Sequence, residues 1–288
     1  MLAEKRRRGI LDAVESRGSM SNVELARQFT VSVETIRRDI ILLDKQGVLR
    51  RIHGGGLSIN TFEPAYTDRM SANLESKRAI GHFAASLVPD KAKVIIDFGT
   101  TAFCVAEALS NHSGLMVVTA SLQAANFLAG RNGNKVVLTG GQLQASEGAT
   151  LGRDATRMLE NYFVDFSFVG AGVISPHPWL MDFSREAAEL RASMLKQARN
   201  GVVLADHTKF NRTAAYRVPN FEQAAFLITD REFDAKMART FRSFKGEILA
   251  PRPTKEPRRW SDPGHARQPA SAPESPLSDS PSARRRHR

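Results

Sequence analysis

The chain has 288 residues, with 41 Lys/Arg against 30 Asp/Glu, a net charge of +11 and one cysteine. That length suits one sizeable domain plus a small module. A single cysteine excludes a disulfide framework or multi-cysteine zinc site and suits a reducing cytoplasm, and no stretch approaches the roughly 18 unbroken apolar residues of a membrane span.

The charge is unevenly spread. Residues 1–57 hold 11 Lys/Arg and 7 Asp/Glu, residues 58–250 hold 21 and 19, and residues 251–288 hold 9 and 4. Basic ends on a near-neutral body point to a polyanionic partner such as nucleic acid.

In chain order, Ile10, Leu11 and Val14 recur at helical spacing between Glu4 and Arg17, with Gly18 as a stop. Ser21 and Glu24 form a capping box that opens a helix through Phe29. Thr30 and Val31 make a tight connection, and Ser32 caps a third helix to about Lys45, ended by Gly47. At 100° per residue, Ile36, Ile40 and Leu43 share one face with Val33 beside them; Glu34, Arg38 and Lys45 point away, flanked by Thr35 and Arg37. This is the build of a helix-turn-helix whose polar N-terminal turns meet base edges. Val48 to Gly54 then reads as a basic wing, in which Arg50, Arg51 and His53 lie over the DNA backbone. The predicted DNA contacts are Ser32, Glu34, Thr35, Arg37, Arg38, Arg50, Arg51 and His53.

The polar stretch 58–75 reads as a linker, and residues 76–250 as a second domain. Apolar runs Val94–Ile96, Met116–Val118, Val136–Leu138, Phe166–Val169, Val202–Leu204 and Phe226–Ile228 alternate with helical stretches such as Ala102–Leu109 and Glu186–Arg199. That alternation predicts an α/β domain with a parallel sheet, and ligands in such sheets sit beyond the carboxyl ends of the strands. There, Asp97, Gly99, Thr100 and Thr101 precede a helix, Gly140 and Gly141 follow a second strand, and Asp206 and Lys209 a third. Close backbone turns, hydroxyls, free helix amides and a compact cation suit a phosphate. Cys104 reads as packed, and the seven histidines show no metal-ligand spacing. From Pro251 the chain holds 8 of its 13 prolines and reads as a disordered basic tail, whose Arg284, Arg285, Arg286 and Arg288 could add salt-sensitive attraction to DNA.

The string VSVETIRRDIILLDKQGVLRRIHGG resembles the N-terminal signature of the DeoR family of bacterial transcriptional regulators, and IIDFGTTAFCVAEAL, VVTASLQAANFL, VVLTGGQL and VVLADHTKFNR resemble its sensor domain. The resemblance implies a winged helix-turn-helix followed by a Rossmann-like sensor domain similar to ribose-5-phosphate isomerases and CoA-transferases. It implies a repressor, a homo-oligomer on double-stranded operator DNA, released by a phosphorylated sugar or polyol, with no cofactor and no metal. NHSGLMVVTASLQAAN and LADHTKFNR look most like members governing glycerol 3-phosphate metabolism, which makes glycerol 3-phosphate the first choice of effector. By the same analogy Asp97, Gly99, Thr100, Thr101, Gly140, Gly141 and Lys209 contact the effector, with Asp182 and Glu186 as hydroxyl acceptors. Two positions depart from the family pattern: Ala120 stands where Asn is common, and Pro176 to Trp179 replace a glycine-containing turn. The alternative is a sugar-phosphate isomerase with an appended DNA module, using Asp97, Glu186, Asp206 and Lys209 as acid–base groups.

Overall fold

The computed structural model describes residues 2–17, 19–58, 63–177 and 179–251. The basic tail from 252, the predicted stop at Gly18 and Pro178 of the family departure lie outside the described residues.

Residues 3–57 build a three-helix unit with a small sheet: α1 (Ala3–Arg17), β1 (Ser19–Ser21), α2 (Asn22–Phe29), α3 (Val33–Lys45), β2 (Arg50–Ile52) and β3 (Gly55–Leu57). The Ser21–Glu24 capping box forms as expected. Thr30 turns the chain at φ 52°, a left-handed conformation uncommon for a β-branched residue, and Ser32 caps α3 by accepting from the Thr35 amide at 3.1 Å. Ile10, Val14, Met20, Leu25, Ile36, Ile40, Leu43 and Leu49 form the core of this unit.

Three features depart from the sequence reading. Val33 is exposed rather than beside the core. Asp39 is buried on the core face of α3, where Arg6 Nε reaches it at 2.6 Å and Arg7 at 3.6 Å. Those two arginines, part of the basic run, therefore tie α1 to α3. The third is β1, which completes an antiparallel sheet in the order β1-β3-β2. Gly55 makes that pairing possible, since a Cβ there would stand 2.3 Å from the Met20 carbonyl oxygen.

The stretch read as a linker is partly helical. It contains α4 (Tyr66–Ser71) and the start of α5 (Leu74–Ala85). There follow β4 (Lys93–Ile96), α6 (Thr100–Ala108), β5 (Met116–Thr119), α7 (Leu122–Leu128), β6 (Lys135–Leu138), the hairpin β7 (Gln142–Gln144) and β8 (Ala149–Leu151), α8 (Arg153–Leu159) and β9 (Val164–Gly170). The rest comprises β10 (Val173–Ile174), β11 (Leu180–Asp182), α9 (Arg185–Lys196), β12 (Ala198–Ala205), β13 (Tyr216–Arg217), β14 (Phe226–Thr229), α10 (Ala235–Thr240) and β15 (Glu247–Leu249). Arg199, predicted to end a helix, instead lies in β12.

Seven strands form one sheet in the order β15-β14-β12-β9-β4-β5-β6, with parallel pairing throughout. Both faces are covered. Val94, Ile96, Phe166, Phe168, Val202 and Leu204 meet α5, α6 and α7, while Ile95, Val169, Val203 and Ala205 meet α8 and α9. Burial on two faces explains why these strands read as unbroken apolar runs.

The approach of α5 to α6 depends on Gly81. A Cβ there would lie 2.6 Å from the Cys104 carbonyl carbon and 2.7 Å from its oxygen. Gly81→Ala must push the two helices apart and is expected to destabilise the chain by about 1–3 kcal/mol in urea unfolding. A midpoint equal to that of the unsubstituted chain would show the contact to be slack.

Candidate functional site

On α3, Glu34, Arg37 and Arg38 stand in solvent, linked by ion pairs of 3.7 Å (Arg37–Glu34) and 3.4 Å (Arg38–Glu34). Exposed pairs of this kind hold each other weakly, by about 0.3–0.5 kcal/mol, so the arginines can be redirected to a nucleic acid at little cost. Ser32 and Thr35 bond one another across the cap, Oγ to Oγ1 at 2.8 Å. In the wing, the Arg51 amide donates to Asp44 Oδ1 at 2.9 Å, which fixes the strand to the end of α3 while the Arg51 side chain stays exposed. Arg50 is half-buried on the same strand, and His53 is exposed at the β2–β3 turn. Most of the predicted contact residues of α3 and the wing are thus exposed, with Thr35 and Arg50 half-buried.

At the carboxyl end of the large sheet, Asp97 follows β4, Gly170 ends β9 and Asp206 follows β12. Asp97 and Asp182 are both fully buried and share one partner that the sequence reading missed, Arg191 of α9. The Arg191 Nε donates to Asp97 Oδ2 at 2.9 Å, and its Nη1 donates to Asp182. Asp97 also accepts from the Phe98 and Gly170 amides at 2.8 Å each. Its oxygens are engaged in shaping the strand ends. Burial opposes the Arg191 charge, yet the fields of Asp97, Glu63 and Glu147 carry its pKa above the usual arginine value.

Thr100 and Thr101 open α6 and are buried, and Gly99 supplies no side-chain cap. The expectation that Gly99 serves a close turn needs correction: its φ is −70°, and a Cβ would meet its nearest neighbours at an ordinary 3.7 Å. Gly141 does require glycine, with φ +117° and a Cβ position 2.8 Å from the Leu151 oxygen. Gly140 donates its amide to Met158 Sδ at 3.3 Å. Glu186 lies on the solvent side of α9, accepting from Ser184 Oγ at 2.9 Å, apart from the buried Asp97–Arg191–Asp182 group.

The 206–209 loop gathers more chemistry than its sequence indicated. Asp206 is buried; its Oδ1 accepts from the Thr208 amide at 2.9 Å, and its Oδ2 has no partner. His207 is held by Asp230, Nδ1 to Oδ2 at 2.7 Å. Around this loop stand Arg69, Lys77 and Arg212, none of which the sequence reading singled out. Arg69 Nη1 donates to Glu63 at 2.8 Å, its Nη2 donates to Glu147, and its Nε is buried with no partner. The Lys77 ammonium donates to the Arg69 carbonyl, and burial together with the neighbouring Lys209 charge pushes its pKa down to about 8. The Lys209 ammonium is likewise held below the usual lysine value, chiefly by burial, with Glu63 and Asp206 opposing.

These cations converge where α4, α5 and the β12 loop meet the sheet, a setting able to hold a small dianion with hydroxyl groups. Two surface clefts lie elsewhere: one of about 550 Å³ along α9 by Glu160, Lys196 and Arg217, and one of about 240 Å³ at the opposite sheet edge by Asp90, Asp165 and Arg199. Among the described residues no cluster of His, Cys, Asp and Glu could hold a metal ion, and no helix is long and apolar enough to cross a membrane.

Comparison with known proteins agrees with both halves. Residues 6–62 match the DeoR-like helix-turn-helix domain, and residues 72–231 match the DeoR C terminal sensor domain. The HTH-type transcriptional repressor CsqR of Escherichia coli (strain K12) is 33% identical over 243 residues, covering 84% of this chain and 93% of that protein. The glycerol-3-phosphate regulon repressor of the same strain is 31% identical over 231 residues, covering 80% and 92%. A putative aga operon transcriptional repressor of Escherichia coli O157:H7 is 28% identical over 249 residues, covering 85% and 93%. A solved ribose 5-phosphate isomerase A from Methanocaldococcus jannaschii aligns with 48% of this chain and 55% of its own, at 21% identity and a TM-score of 0.35, too slight a likeness to carry function. With a capped recognition helix, a wing and a parallel-sheet sensor on one chain, and with both family domains matched, the protein belongs to the DeoR family of transcriptional regulators.

Proposed function

We propose that this regulator is a cytoplasmic repressor that grips operator DNA as a homo-oligomer through α3 and the β2–β3 wing, and that a phosphorylated sugar or polyol bound at the sheet's carboxyl edge releases it. The observation that carries this reading is the convergence of Arg69, Lys77, Lys209 and Arg212 on a buried spot where Arg69 Nε and Asp206 Oδ2 lack partners. Each of these atoms, a donor and an acceptor out of solvent, costs free energy unless a ligand satisfies it. A phosphate oxygen suits the first and a ligand hydroxyl the second, which describes a polyol phosphate. Thr100 and Thr101, with the amides of the first turn of α6, would add donors to the phosphate. Asp97 and Asp182 would then serve the effector indirectly, by fixing Arg191 and the strand ends.

Glycerol 3-phosphate is the first choice of effector; one relative is named for the glycerol 3-phosphate regulon, though another is named for the aga operon. The isomerase alternative loses ground because the similar proteins above are named as repressors. Linkage requires the effector to bind the DNA-released state more tightly than the DNA-bound one. The test is fluorescence anisotropy on a fragment of the protein's own promoter, titrated with glycerol 3-phosphate, glucose 6-phosphate and N-acetylgalactosamine 6-phosphate. One of them is expected to weaken operator binding at least about tenfold, a coupling of roughly 1.4 kcal/mol. Retention of the full anisotropy at millimolar levels of every compound would refute the assignment.

A further inference from the structure

Glu63 stands apart from the other carboxylates of this site. It lies five residues beyond Ser58, which follows the last wing strand, and those residues span at most about 18 Å. Its carboxylate nevertheless reaches into the sensor domain, 2.8 Å from Arg69 Nη1, and its field acts on Lys209, Arg212 and Arg191. Glu147, which pairs with the other Arg69 nitrogen, comes from the turn between β7 and β8.

The charge arithmetic of the site decides what an incoming anion must do. The groups joined by these contacts are the cations Arg69, Lys77, Arg191, Lys209 and Arg212 and the carboxylates Glu63, Asp97, Glu147, Asp182 and Asp206. Five positive groups face five negative ones, so the site is balanced as it stands. A phosphate dianion added to it would leave two uncompensated negative charges in a poorly solvated place, which is strongly unfavourable. Release of one carboxylate would halve that excess. Asp97 and Asp182 are clamped by Arg191, and Asp206 is fixed by Thr208. Glu147 is as exposed as Glu63, but it is carried by the hairpin turn between two paired strands of the sensor domain. Glu63 is the carboxylate carried by the chain that joins the two domains.

We propose that Glu63 is an internal counter-anion of the effector site: its carboxylate occupies the Arg69 guanidinium, an arriving phosphate takes its place, and its release frees the chain leading to the wing. This rests on the phosphate reading of the site and adds the route by which occupancy reaches the DNA-binding unit. It makes effector binding and the tethered state of residue 63 mutually exclusive, which is the differential affinity that linkage demands.

The test uses the full chain and inorganic phosphate as the probe. Glu63→Gln, checked for folding by circular dichroism, is expected to bind phosphate about tenfold more tightly than the unsubstituted chain in calorimetry. Operator affinity of this variant should be low and insensitive to phosphate. Independently of any variant, saturating phosphate is expected to speed amide hydrogen exchange across residues 63–69 of the unsubstituted chain. Equal or weaker phosphate binding by the folded variant overturns the proposal, as does exchange in that segment that is unchanged or slowed. If phosphate binds to neither chain, the site assignment itself falls as well. If phosphate behaves as expected while no sugar phosphate releases the operator, the counter-anion role stands and the effector assignment fails.

Discussion

Replacing Arg191 by methionine is expected to lower the stability of the chain by about 3–5 kcal/mol, read as a fall in the urea midpoint. Arg191 is 2% exposed and bonds two fully buried carboxylates through separate nitrogens. Its guanidinium also lies 4.7 Å from the Phe98 ring centroid. Methionine fills similar volume but leaves Asp97 and Asp182 as unpaired charges in the interior, which must either protonate or draw water inward. Arg191→Lys should recover only part of the loss, because a point charge cannot satisfy two carboxylates in a fixed fork. The decisive control is the triple change Asp97→Asn, Asp182→Asn, Arg191→Met. Without charges to strand, it should regain most of the lost stability. A single-variant loss below about 1 kcal/mol would mean that the triad is hydrated and contributes little.

Replacing Arg37 and Arg38 together by alanine is expected to weaken operator binding about 100-fold, from about 1–3 kcal/mol per arginine contact. Both side chains are more than half exposed, and their described ion pairs are with Glu34 alone. The thermal midpoint should therefore hardly move, which separates lost recognition from lost folding. The comparison between operator and unrelated DNA carries further information. A loss confined to the operator assigns the arginines to base edges, while an equal loss on both, with a shallower salt dependence, assigns them to phosphates. Undiminished operator binding would remove α3 from the interface.

How much of this was legible in the sequence follows from where the forces are local. The helix caps at Ser21 and Ser32 and the C′ glycine at 47 are written in neighbouring residues, and they form as expected. The parallel strands were legible for the same reason, since burial on both faces leaves an unbroken apolar run. β1 was not: Ser-Met-Ser has no pattern of its own, and its pairing with β3 is a tertiary event. Asp39 was in reach, because it sits three residues after Ile36 and four before Leu43 on the inward face. Arg191 gave the same signal, falling among Ala187, Ala188, Leu190 and Met194 on the buried side of α9. Glu63, Arg69 and Lys77 gave none. Glu63 and Arg69 read as ordinary charges in a polar connection and Lys77 as one more at the start of the second domain, and only packing of α4 and α5 beside the β12 loop gives them a role.

The separate core of residues 3–57 has a consequence for a chain still being made. That unit closes on its own apolar residues. The sheet, by contrast, places β12 between β9 and β14, so its centre cannot assemble before residue 205 has been synthesised. At about 5–20 residues per second, the remaining 150 or so residues take roughly 7–30 s to emerge. In a nascent polypeptide the apolar core of the small unit can thus close before the sheet that would carry the effector site is complete.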